Sequence, residues 1–236
     1  MHITELTLQT HDLAAQRDFY EHTLELPVVE ASGQAFTVQA GTTRLTFQAT
    51  EQEDALYHVA FTVPRNKIVQ AKRWATARFP LLTNPAGLEE FAFGSWNSWS
   101  IYFRDPANNI LEFIAHYDLA RETAGNFGPQ DILHVSEIGL PVDDVPALVS
   151  HLQALLGVEP YKGQRSDTFT AVGDIYGLFI VVSTGRAWVP DMTSPAGIAP
   201  TKVTVQGTEE QHYALSPFPY NLHVTTSSKI YERNAG

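Results

Sequence analysis

The chain has 236 residues, is 44% hydrophobic and carries a formal net charge of −11, which suits one large or two small domains with a sizeable core. Such an acidic balance argues against binding a phosphate backbone, which calls for a basic patch. With no cysteine, disulfides, thiolate metal sites and thiol nucleophiles are ruled out. Met1 to Glu5 shows no basic start or apolar run of a signal peptide, and no stretch approaches the roughly 20 apolar residues of a membrane helix. The chain therefore reads as a soluble, cytoplasmic protein with no nucleic-acid or membrane partner.

In chain order, Ile3 to Thr10 alternates as a half-buried strand does, and Asp12 is an N-cap for a helix over Leu13 to Leu24. Leu26 to Ala31, Gln34 to Ala40 and Arg44 to Ala49 read as strands, with turns at Gly33 and Gly41. The second unit repeats that order. It has a strand at Tyr57 to Val63, a helix at Asn66 to Phe79, and a long loop from Pro80 to Asn97. A strand pair follows, Ser98 to Arg104 and Asn109 to Ala115, joined by Asp105-Pro106-Ala107-Asn108. His116 to Gln130, with Gly125, Gly128 and Pro129, reads as a linker between domains.

A third unit begins near Ile132, with its helix starting around Asp144 and stopped by Gly157. Strands follow at Thr168 to Val172 and Leu178 to Ser183. Thr201 to Gln206 and Tyr220 to Thr225 then suggest an incomplete fourth unit, since no helix separates them. The repeat is also visible as a phrase. Glu5 to Asp12, His58 to Arg65 and Glu137 to Asp144 align without gaps, each with a polar residue leading apolar residues two apart. The expected fold class is α+β, repeated βαβββ units forming curved mixed sheets with helices outside. The expected domains are 1–116, a linker at 117–130, and a degenerate second domain at 131–236.

Strand side chains alternate faces. Glu5 therefore opposes Leu6 and Leu8, His58 opposes Val59 and Phe61, and Glu112 opposes Leu111 and Phe113. If the first two units pair, Glu5, His58 and Glu112 share one inner face. One imidazole and two carboxylates suit a divalent cation such as manganese, iron, nickel or zinc. Taken singly, a strand glutamate is usually solvent-facing and a strand histidine structural; the shared register raises the odds. Phe91, Trp96 and Trp99 are candidates for a pocket wall, with ordinary core filling as the alternative. His116 lies four residues after Glu112 on the same side, either as a rim group or as a linker residue.

The pieces Ile3-x-Glu5-Leu6-x-Leu8, His58-Val59-Ala60-Phe61-x-Val63 and Asp105-Pro106-x-Asn108-Asn109-Ile110-Leu111-Glu112-Phe113 resemble the vicinal oxygen chelate superfamily. That group includes glyoxalase, bleomycin-resistance proteins and extradiol dioxygenases. The resemblance covers 1–116 well, 132–183 weakly, and fades beyond. It implies paired βαβββ units and a metal held by Glu5, His58 and Glu112, with Thr46 where some members have a fourth ligand. Many members have histidine at the Glu5 position. It implies no metal in residues 130–236, where Glu137 matches the first ligand position without an evident partner and Phe179 or Ile180 stands at the late-strand one.

On this reading the protein is a metal-dependent enzyme chelating a small oxygen-rich molecule, with Glu5 or Glu112 as the base. A lyase or isomerase fits better than a ring-cleaving dioxygenase, which would normally present two histidines and one carboxylate. The alternative is a metal-free small-molecule binding protein of the same fold; a purely structural role for the three residues is the third reading. The units would pair within one chain or across a homodimer.

Overall fold

A computed structural model describes residues 1–52 and 55–226. The elements, in order, are β1 (Ile3–Thr10), α1 (Leu13–Asp18), β2 (Val28–Ala31), β3 (Ala35–Ala40), β4 (Thr43–Ala49), β5 (His58–Thr62), α2 (Ile68–Thr76), β6 (Phe91–Phe93), β7 (Ser98–Arg104), β8 (Ile110–His116), β9 (His134–Val142), α3 (Val145–Leu156), β10 (Phe169–Asp174), β11 (Gly177–Ser183), β12 (Thr201–Gly207), β13 (Gln211–Ala214) and β14 (Tyr220–Thr226). Asp12 and Asp144 cap α1 and α3, each carboxylate accepting from the backbone N–H three residues on at 2.9 Å. Gly157 ends α3 at φ +65°, a backbone region that glycine enters without a side-chain penalty. Past Asp18 the first helix widens into a π-turn over Phe19–Thr23, which buries Phe19 and Tyr20.

The strands form two seven-stranded mixed sheets. One runs β13-β14-β12-β1-β4-β3-β2, the other β10-β11-β9-β5-β8-β7-β6. One face of each sheet joins a common core. Leu6 and Leu8 of β1 meet there with Val59 and Phe61 of β5, Ile138 and Leu140 of β9, and Val203 and Val205 of β12.

The sheets do not divide the chain at 117–130. The second sheet is built wholly from residues 58–183, whereas the first joins β1 to β4 with β12 to β14 from the far end. The expected pairing of the first two units is therefore replaced by first with fourth and second with third. Local pattern marks strands but not their partners; partners are chosen by where the connections lead. The segment after β8 folds back over α2, where Asn66 Nδ2 donates to Thr123 O at 3.0 Å and Arg65 pairs with Glu122 at 2.7 Å. It delivers β9 beside β5, so it links strands of one sheet. The fourth unit contains β13, which the sequence pattern did not suggest, and has no helix among the described residues. Among the described residues, no helix is long and apolar enough to cross a membrane.

The Asp105 turn fixes the second unit. Asp105 is buried and accepts from Gln16 Nε2 at 2.6 Å, Tyr20 Oη at 3.2 Å and Asn109 Nδ2 at 2.8 Å. Burial pushes its carboxyl above the usual range, and these donors oppose the shift. Asn109 Oδ1 in turn accepts from Tyr57 N at 2.8 Å, so one turn registers the starts of β5 and β8, the strands that carry His58 and Glu112.

Candidate functional site

On the outer face of the second sheet, β5, β8 and β9 lie side by side. β5 runs parallel to β8 with His58 opposite Ile110, and antiparallel to β9 with Ala60 opposite Glu137. This register gathers His58, Glu112 and Glu137, whose donor atoms all lie within 4.8 Å of one another. His58 Nε2 is 3.5 Å from Glu112 Oε2 and 3.5 Å from Glu137 Oε2. All three side chains are nearly sealed from solvent, at 6%, 3% and 3% exposure.

The imidazole is oriented from behind. His58 Nδ1 lies 3.2 Å from the Ile110 carbonyl. That contact assigns the Nδ1 proton, since a carbonyl can only accept, and turns the Nε2 lone pair toward the carboxylates. Burial lowers the His58 pKa, and the neighbouring Glu112 and the Ile110 carbonyl oppose that shift. Burial and the neighbouring Glu137 raise Glu112 to about 8, and burial raises Glu137 to about 8. Glu137 Oε1 is buried without a hydrogen-bond partner. Three acceptor atoms thus converge where, among the described residues, no Lys or Arg pairs with them. Either protons or a cation must lie between them, because buried carboxylates do not persist unpaired. The donor set fits a divalent ion. Two oxygens and one imidazole nitrogen suit manganese, iron or zinc, with charge balanced at zero.

The trio opens into a cavity of about 220 Å³. Phe93, Trp96, Tyr102, Phe169, Ile180 and Trp188 provide its apolar walls, and Gln164 and Arg186 its polar ones. Trp188, in the loop after β11, lies against His58 with ring centroids 5.0 Å apart. It reaches there because residue 139 is glycine: a Cβ would stand 2.8 Å from Trp188 Cη2. Ile180 occupies the position on β11 that Glu112 occupies on β8, each two residues past the parallel partner of the leading residue on the neighbouring strand. A fourth protein donor is replaced there by an alkyl group.

The residues expected from sequence separate. His58 and Glu112 come together, but Glu5 is in the other sheet, with its side chain 54% exposed and 3.9 Å from Arg44. Glu137 takes the place that Glu5 was expected to fill, because β9 and not β1 pairs with β5. The third donor thus comes from residues 130–236, where no ligand was expected. Thr46 stays beside Glu5 in the first sheet, hydrogen-bonded to Thr37 at 2.8 Å. Trp96 lines the cavity. Phe91 stands behind it, edge-on to Tyr102 at 5.4 Å. Trp99 is 40% exposed, since it projects from the opposite face of β7 to Ser98 and Ser100. His116 is buried between Trp96 and Tyr161, with both ring nitrogens unpartnered, and burial lowers it to about 4. It is neither a rim residue nor a linker residue.

The same register rule, applied to the first sheet, makes Glu5, Thr46, Lys202 and His223 the counterparts of His58, Glu112, Glu137 and Ile180. A further donor group, Glu210, His212 and His223, gathers at the β13–β14 hairpin. Its two imidazoles stack face to face at 3.8 Å and 12°, so a single ion cannot lie in the planes of both rings.

No protein-family profile matches the chain, and neither does any curated protein. Solved structures do. A "putative dioxygenase" from Bacillus subtilis subsp. subtilis str. 168 superposes over 96% of this chain and 85% of its own, with TM-score 0.62 at 15% identity. A glyoxalase/bleomycin resistance protein/dioxygenase from Nocardioides matches over 53% of this chain and 90% of its own (TM-score 0.42, 21% identity). A lactoylglutathione lyase from Agrobacterium tumefaciens matches over 48% and 92% (TM-score 0.39, 23% identity). The chain has the vicinal oxygen chelate fold.

Proposed function

We propose that the protein is a divalent-metal-dependent enzyme that takes a small oxygen-rich molecule into the cavity beside His58, Glu112 and Glu137. The observation that supports this most is the convergence of two sealed carboxylates on His58 Nε2 at 3.5 Å. A bound divalent ion supplies Lewis-acid polarisation of two adjacent substrate oxygens. His58 is held in the ligating tautomer by Ile110 O, and Ile180 leaves coordination positions to the substrate.

An isomerase or lyase suits this donor set better than a ring-cleaving dioxygenase, which normally uses two histidines and one carboxylate on iron. Glu137 is the better base, since its buried Oε1 has no hydrogen-bond partner. From a hydroxyl-bearing carbon beside a carbonyl it takes a proton, the C–H electrons pass into the carbonyl as an enediolate, the hydroxyl proton moves to that oxygen, and the first proton returns at the former carbonyl carbon. Trp188 and Trp96 keep water from that intermediate.

The test is elemental analysis of the purified protein before and after incubation with manganese, iron(II), nickel and zinc. About one equivalent per chain is expected, lost in His58→Ala and Glu137→Ala and retained in Glu5→Ala. An aromatic-walled cavity also suits a binding protein without chemistry. Absence of metal under every condition, together with a ligand-induced rise in Tm without turnover, would favour that second reading.

A further inference from the structure

Arg186 enters the same cavity as the trio from the loop after β11. Its guanidinium lies over the Phe169 ring at 5.1 Å, and its one hydrogen bond is a long 3.4 Å contact from Nη1 to Ala187 O. Arg17, Arg44, Arg65, Arg78 and Arg104 each pair with a carboxylate at 2.7–2.9 Å. Among the described residues, Arg186 has none. A guanidinium presents five donors in a planar fork that matches a carboxylate edge, so most of this fork is unused in a half-buried place. Burial lowers its pKa, the expected sign for a cation without a counter-charge. The Trp188 indole N–H, also lining the cavity, is buried and unpartnered.

Size and shape narrow the occupant. An apolar cavity of about 150 Å³ holds one benzene, so about 220 Å³ accommodates one ring with small substituents. Phe93, Trp96, Phe169 and Trp188 offer flat walls to a planar molecule. With a divalent ion neutralising Glu112 and Glu137, Arg186 leaves the cavity one positive charge in excess.

We propose that Arg186 is a specificity-determining residue selecting a small planar anion, whose carboxylate meets the guanidinium while its flat body lies between the aromatic walls. This rests on the metal-site reading, and the carboxylate contact can be tested apart from it.

The experiment titrates manganese-loaded protein with catechol and with 3,4-dihydroxybenzoate, in wild type, Arg186→Gln and Arg186→Lys. The expected result is that wild type prefers the carboxylate compound by about tenfold or more, the net worth of a charge-assisted pair. Arg186→Gln should erase the preference and leave catechol affinity within about threefold, with Arg186→Lys intermediate because a point charge replaces a fork. Equal affinities in wild type, a preference that survives Arg186→Gln, or no binding of either probe to the manganese-loaded protein would overturn the proposal. Benzoate and metal-free protein separate this failure from failure of the metal site. An Arg186-dependent rise in Tm with benzoate supports the anion contact even if manganese is not taken up, and its absence there counts against the contact.

Discussion

At four equivalent strand positions the second sheet carries His58, Glu112, Glu137 and Ile180, and the first carries Glu5, Thr46, Lys202 and His223. The wiring is the same and the surroundings are opposite. In the second sheet the outer face is roofed by Trp188, Tyr161 and Phe93 from loops and a short edge strand, so carboxylates there are desolvated. In the first sheet the corresponding face is open, and Glu5 lies 3.9 Å from Arg44 with most of its side chain in water. A glutamate at the head of a β-strand thus joins a buried cluster of donor atoms through its cover and its neighbours, not through its place in the repeat. Lys202 makes the contrast sharper, because a cation at the Glu137 position repels a second one.

The largest expected effect is on metal affinity. His58→Ala should lower it at least 100-fold, since ligand loss exceeds the roughly 10–100-fold typical of supporting residues. Lys202→Ala should leave affinity unchanged in the same isothermal titration. A loss in both variants would erase the distinction between the sheets.

Next comes pH dependence of the metal-free protein. Glu112 and Glu137 are raised to about 8 from 4.5, so between those values the folded state holds more protons than the unfolded chain. Their contribution to stability therefore falls as pH rises from about 4.5 to about 8. Urea unfolding should show this decline above pH 6.5, where the buried histidines no longer contribute. Glu137→Gln should flatten it, and added manganese should reverse it, because binding displaces the protons. Glu5→Gln should change nothing. A slope that persists in Glu137→Gln would show that other groups carry it.

A packing test follows. Gly139→Ala places a Cβ 2.8 Å from Trp188, and overpacking of that kind costs about 1–3 kcal/mol. Trp188 fluorescence should shift to the red as its roof lifts from His58. An unshifted spectrum with unchanged stability would mean the ring is not seated against residue 139. The smallest effect belongs to Glu5→Ala, which removes an exposed ion pair and should stay within about 0.5 kcal/mol in denaturant midpoint.

The alternation along Ile3 to Thr10, the phrase that begins at Glu5, His58 and Glu137, and the Asp105 turn were enough to identify the repeated unit, most of its strands, and the fold. Those signals are local: side-chain period, helix caps and turn chemistry act over a few residues. His58 and Glu112 could be placed together because both belong to one unit, and β5 and β8 pair within it. Which unit supplies the third donor could not be read the same way. Glu5 and Glu137 head equivalent strands, and only the return of residues 117–133 over α2 brings β9, not β1, against β5. Burial was equally invisible: Trp188 and Arg186 reach the cavity from a loop with no periodicity, and they close it only because Gly139 lets the indole in. Strand partners and the dielectric around a carboxylate depend on contacts between residues far apart in sequence. Those contacts are settled by packing the whole chain around one core.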